Sequence, residues 1–281
     1  MPCSKSMGWR CRSAWKGNPS GDYPSYGRAP FLTDELIEHD IGAMLPPAFQ
    51  KAAEGCVLLC TQATLAKIMI LTPPVPGRRD YRIEVTAPHL QGAVRISLGP
   101  GSGTIRIDTA GPVQMDIRTW RKMSLHIGAG TTISSARLVC DNADITVGKD
   151  GLWSDEILVQ SNDQHGIIDL ADMSMLNDYR RKIDIAEHVW IGRRTVIMPD
   201  VSIGAGAILG TAAVLTCDMP AHTVFGGVPA RQLRSNVSWS RAATGPSDGE
   251  LQYLKPHVVA VKQGLQQRIV RRLARIWHRR R

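Results

Sequence analysis

The chain has 281 residues, of which 43% are hydrophobic, 21% charged and only 5% aromatic. That length and balance exclude a small disulfide scaffold and a long disordered protein, and they imply an aliphatic core. The formal charge is +9, yet residues 251–281 hold Lys255, Lys262 and seven arginines with no acid, so residues 1–250 sum to zero. A basic body is thereby excluded, and no nucleic-acid partner is expected.

Six cysteines (Cys3, Cys11, Cys56, Cys60, Cys140 and Cys217) form no C-x-x-C pair and read as free thiols in a reducing compartment. The first residues are basic but lack the apolar core of a secretory signal. The apolar window from Cys56 to Thr72 is interrupted by Gln62 and Lys67 and is too short to span a bilayer. The expectation is a cytoplasmic protein.

In chain order, residues 1–30 are polar and aperiodic and are expected to be disordered. Residues 31–82 read as a short α/β extension. It opens with a helix over 31–45 capped by Thr33 or Asp34 and ends with an aliphatic strand, Ile68–Leu71, before Pro73 and Pro74. From residue 83 the texture is all-β, in short alternating runs such as Val94-Ile96-Leu98 and Met123-Leu125-Ile127.

A strict period of six follows. Ile185, Ile191, Ile197, Ile203, Leu209 and Leu215 form one row. Ile183, Val189, Thr195, Val201, Ala207 and Ala213 form a second, small or aliphatic row two positions earlier. An upstream set, Ile127, Ile133, Val139 and Ile145, keeps the same step. This period belongs neither to a helix nor to an ordinary strand. It predicts a hexapeptide β-solenoid over residues 83–240, each hexad a short strand plus a turn with its aliphatic residue pointing inward.

Residues 241–281 read as a linker and a basic helix, with Leu265, Ile269, Leu273 and Ile276 at helical spacing among arginines. Two roles stay open for 263–281: peripheral contact with an anionic membrane, or packing on the protein itself.

Three stretches, SNDQHGIIDL (161–170), HVWIG (188–192) and GVPAR (227–231), together with the hexad run, resemble the hexapeptide-repeat acyltransferases. The sugar and exopolysaccharide O-acetyltransferases, such as galactoside acetyltransferase, are the members most similar to it. The resemblance implies a left-handed parallel β-helix, a homotrimer with its active site between protomers, and acetyl-CoA as co-substrate. It also implies that His165 is the general base. Chemically, a neutral imidazole suits the task, because an alcohol is almost fully protonated at neutral pH and must lose its proton as it attacks. Asp163, then Asp169, are the candidates to fix its tautomer.

The resemblance further implies that Trp190 lines the cleft and that Thr211, Thr216, Arg231 and Arg234 contact the coenzyme. Guanidinium forks suit its phosphates. Arg193 stands where a small residue is usual and is a further coenzyme candidate. Cys217 replaces the family's usual lysine. His188 reads as structural and His222 as an exposed loop residue. Residues 170–182 interrupt the repeat, and their Tyr179, Arg180 and Arg181 are candidate sugar contacts. His165, His188 and His222 lack the spacing of a zinc site, so no metal is expected. The leading expectation is O-acetyl transfer to a sugar or polysaccharide hydroxyl. Its rivals are N-acyl transfer to an amino sugar or other small acceptor, and a catalytically silent solenoid scaffold.

Overall fold

The computed structural model describes residues 35–258 and 264. The expected disorder of residues 1–30, the caps at Thr33 and Asp34, and, except for Gly264, the basic helix over 263–281 lie outside the described residues. No described helix is long and apolar enough to cross a membrane.

The six-residue rows close into a parallel β-solenoid of about eight turns. Strand residues pair with the residue 18 positions on: Ile183 with Val201, Trp190 with Ile208, Val196 with Val214. Three hexads therefore make one turn. Both rows point inward, and all twelve of their residues are buried at 2% exposure or less. Stacking them removes a continuous aliphatic column from water at about 25 cal/mol per Å² of apolar surface.

The corners also follow the repeat. His188, Arg194, Asp200, Gly206 and Ala212, each six residues apart, all adopt positive φ between 54° and 67°. Successive corners stack backbone on backbone. A Cβ on Gly192 would come within 2.6 Å of the Thr211 amide nitrogen, so a side chain does not fit there.

Upstream the turns are longer. Gly101 pairs with Arg121 and Met123 with Ala143, steps of 20, within the long strands Gly92–Ile107, Val113–Ile127 and Thr132–Val147 that bend around corners. Parallel pairing begins before the expected boundary at residue 83: Val57–Cys60 pairs with Arg79–Val85, and Ile68–Leu71 with Gly92–Ile107.

The expected helix over 31–45 is in fact a strand, Ile37–Asp40, followed by one helical turn, Ile41–Met44, capped by Asp40. The open edge of Val57–Cys60 overrides helical propensity by taking Ile37–Asp40 as an antiparallel partner. At the other end, Thr223–Gly226 pairs antiparallel with Arg231–Ser235.

Beyond this, residues 237–258 fold back along the solenoid. A helix over 248–258 starts at a reciprocal cap, in which the Glu250 amide donates to Ser247 Oγ while the Ser247 amide donates to Glu250 Oε2.

Candidate active site

The solenoid is broken once in its regular part. Leu158 pairs with Val196, a step of 38 where the next turn takes 18, so 20 residues are looped out between Ile157–Gln160 and Arg181–Ile185. At the exit, Ser161 and Asn162 are buried. The Asp141 amide donates to Ser161 Oγ at 2.9 Å, and Asn162 Nδ2 donates to the Asp141 carbonyl at 3.3 Å.

One buried amide then holds the loop together. Asn177 Nδ2 donates to the His165 carbonyl at 2.8 Å and to Asp163 Oδ2 at 3.1 Å, while its Oδ1 accepts from the Ile167 amide at 2.8 Å. The motif gave no hint of this residue. Its signal in the sequence was a lone asparagine beyond an apolar run.

His165 is exposed and lines a cavity of about 300 Å³. Trp120, Arg121 and Asp141 form one side of it, and Gln164, Met175 and Asp178 lie on the loop side. Asp141 is buried and accepts from Arg121 Nε at 2.7 Å and Nη2 at 3.0 Å, which raises the guanidinium pKa further. Among the described residues, the His165 ring forms no hydrogen bond.

Neither expected carboxylate reaches the His165 ring. Asp163 is taken by Asn177, with Arg181 Nη2 at 3.7 Å. Asp169 closes a local turn by accepting from the Ala171 amide.

Tyr179, Arg180 and Arg181 lie against the solenoid wall at the loop's return, each already holding a carboxylate, although Arg181 Nε is buried with no partner among the described residues. Arg180 grips Asp144 with two bonds of 2.6 Å, which hold that carboxyl below its ordinary range. Arg181 pairs with Asp200 at 2.5 Å and stacks 3.9 Å above the Tyr179 ring, whose hydroxyl donates to Asp200. Burial pushes the Asp200 carboxyl up, but Arg181, the Lys182 amide and Tyr179 outweigh it and hold the group low. The geometry makes these three residues anchors of the loop.

The coenzyme candidates lie apart from this cavity, and none of them lines it within one chain. Thr211, Thr216, Arg231 and Arg234 are exposed near the C-terminal end of the coils. Neither arginine has a carboxylate partner among the described residues, as a phosphate site requires; Arg231 donates only to the Ala230 carbonyl. Arg193 does not fit the same role, being paired with Asp155 and Glu156.

Trp190 points outward, 38% exposed, with its ring 6.5 Å from that of Trp239. His188 is buried. Its Nδ1 lies 2.8 Å from Asp150, its Nε2 lies 3.2 Å from the Trp239 carbonyl, and its ring stacks on the Trp239 indole at 4.2 Å. His222 is half-buried rather than exposed, its ring 4.1 Å from that of His257. Burial first, then the neighbouring histidines, lower its pKa. Among the described residues, no group of three His, Cys, Asp or Glu is placed to hold a metal.

These features can be set beside known proteins. A solved polySia-specific acetyltransferase superposes with a TM-score of 0.53 at 21% identity, over 69% of this chain and 94% of that one. The chain has the hexapeptide-repeat acetyltransferase fold.

In sequence, the chain is 30% identical over 138 residues to a polysialic acid O-acetyltransferase of Escherichia coli O1:K1 / APEC, covering 49% of this chain and 45% of that protein. It is 26% identical over 106 residues to a galactoside O-acetyltransferase of Lactococcus lactis subsp. lactis (strain IL1403), covering 38% and 50%. It is 37% identical over 67 residues to a chloramphenicol acetyltransferase of Morganella morganii, covering 23% and 32%. The chain thus spans about half the length, or less, of the curated relatives it matches. No protein-family model matches it.

Proposed function

We propose that the chain is an acetyltransferase that moves the acetyl group of acetyl-CoA to a hydroxyl of a sugar or polysaccharide. The observation that carries this reading is His165. On an acetyltransferase fold, its imidazole is exposed and unpartnered at the mouth of a cavity, on a loop that a buried amide holds in shape. The names of the relatives support acetyl transfer and the acceptor class, and acetyl-CoA is the donor that the family resemblance implies.

In the reaction, the His165 imidazole takes the acceptor hydroxyl's proton as its oxygen attacks the thioester carbonyl. The carbon–sulfur bond then breaks, and the proton passes from the imidazolium to the departing thiolate. Both substrates are present together, so no acyl-enzyme forms. Arg231 and Arg234, which have no carboxylate partner among the described residues, offer guanidinium groups to the coenzyme phosphates, and Thr211 and Thr216 lie exposed on the same end of the coils.

The family resemblance implies a cyclic homotrimer with the site completed between protomers, and the separation of the coenzyme candidates from the His165 cavity on one chain is consistent with it. The test is thioester consumption by the purified protein with glycoside acceptors. His165→Ala is expected to lower turnover by about 10²–10⁴-fold with acetyl-CoA binding and oligomeric state unchanged. A variant that keeps full rate removes His165 from the role of base.

A further inference from the structure

We propose that the cavity beside His165 seats one uncharged pyranose ring, with the Trp120 indole as its platform. The inference rests on the acetyl-transfer reading and goes further by naming the acceptor's chemistry.

Trp120 is seated on bare backbone. A Cβ on Gly99 would lie 2.3 Å from its Cε3 and 2.7 Å from its Cδ2, so the missing side chain of Gly99 is what lets the indole rest against the coil. The same indole lines the cavity. On the loop, Met175, which lines the same cavity, is held over Gly166, where a Cβ would meet its Cε at 2.2 Å. An indole and a thioether thus share the cavity with the exposed imidazole. A pyranose has apolar C–H faces and a rim of hydroxyls, and burying such a face on an indole is favourable.

The polar groups fit the rim. Among the described residues, Gln164 forms no side-chain hydrogen bond, and Asp178, with its side chain 64% exposed, is held only by Arg121 Nη1 at 3.3 Å. An amide and a carboxylate are good partners for hydroxyls.

The charges argue against an anionic sugar. Arg121 is the one guanidinium among the described residues that line the cavity, and Asp141 and Asp178 both bind it. The wall therefore carries two carboxylates against one cation already neutralised, and an acceptor carboxylate placed there meets like charge. The cavity, at about 300 Å³, is at the small end of ligand sites and suits one ring better than a long segment.

The test compares methyl galactoside and methyl glucoside with polysialic acid as acceptors for the full chain, and reads binding separately by ligand-observed saturation-transfer NMR. The neutral glycosides are expected to show a kcat/KM at least tenfold higher. Trp120→Ala is expected to raise their KM about tenfold with the acetyl-CoA KM unchanged, while Trp120→Phe stays within about threefold of the parent. Asp178→Lys, a change at an exposed position, should narrow the preference for neutral acceptors.

A higher kcat/KM for polysialic acid, or an unchanged glycoside KM in Trp120→Ala, overturns the proposal. If neither acceptor is acetylated but methyl galactoside still shows a saturation-transfer signal that Trp120→Ala abolishes, the seat stands and the acetyl-transfer reading falls. If no glycoside binds at all, the seat falls.

Discussion

At the residue scale, Asn177 explains how the exposed loop that carries His165 keeps its shape. It makes three hydrogen bonds, one of them to the Asp163 carboxyl group, and it is only 6% exposed. Asn177→Asp is nearly isosteric, but its carboxylate cannot donate to the His165 carbonyl and it repels Asp163. A lost hydrogen bond to a charged group costs about 1.5–3 kcal/mol, enough to loosen a loop without unfolding a solenoid. The expected result is a fall in kcat of tenfold or more and faster amide exchange confined to residues 161–180. Unchanged exchange in that segment would show that the loop is held by other means.

At the element scale, the hexad tolerates one polar intrusion. Thr195 occupies an inward position of the second row, fully buried, and its Oγ1 has no hydrogen-bond partner. An unmet buried hydroxyl costs about 1–3 kcal/mol, so Thr195→Val should raise the melting temperature, read by calorimetry. A second element-scale device is the clamp on the returning C-terminal segment. Arg241 reaches Asp150 at 2.9 Å, as well as Thr132 Oγ1 and the Gly130 and Gly151 carbonyls, while His188 holds the same carboxylate. Burial pushes the Asp150 carboxyl up, but His188 and Arg241 outweigh it and leave its pKa below the ordinary value. A carboxyl lowered in the fold contributes stability that is present above its unfolded pKa of about 3.9 and is lost as pH falls through the folded value. Docking of residues 237–258 should therefore weaken in acid, and Asp150→Asn should flatten that acid limb, measured as protease sensitivity against pH. The two rows were legible in the sequence because a six-residue period exposes itself wherever one position in six must be aliphatic. The edge strand Ile37–Asp40 was not, because its pairing partner lies about 20 residues away and its own composition suits a helix. The clamp was equally hidden, since Arg241 and Asp150 are 91 residues apart.

For the whole molecule, the architecture separates stability from function. A solenoid turn contacts mainly the turns on either side, so stability sums over neighbouring coils. The looped-out segment adds little to that sum: Ile167, Ile168, Leu170, Met173, Met175 and Leu176 are all exposed in the chain, outside the aliphatic column. Beyond the Ser161 and Asn162 bonds to Asp141, its ties to the wall include the Asp163–Arg181 contact and the largely exposed ion pairs Arg180–Asp144 and Arg121–Asp178, and exposed pairs are worth about 0–1 kcal/mol each. The motif at 161–170 was legible as chemistry because it departs from the repeat. The roles of Asp163 and of the loop's arginines were not, because only the folded loop shows which partner each charge takes. Replacing residues 163–176 by a short Gly/Ser linker should therefore leave the solenoid's thermal midpoint within a few degrees of the parent, since about 1 kcal/mol shifts a domain of this size by roughly 2–4 °C. The same excision removes His165 together with Gln164 and Met175 from the loop side of the cavity, so acetyl transfer should vanish while circular dichroism keeps its β signature. A collapse of the midpoint on excision would place the loop inside the cooperative core and contradict this division of labour.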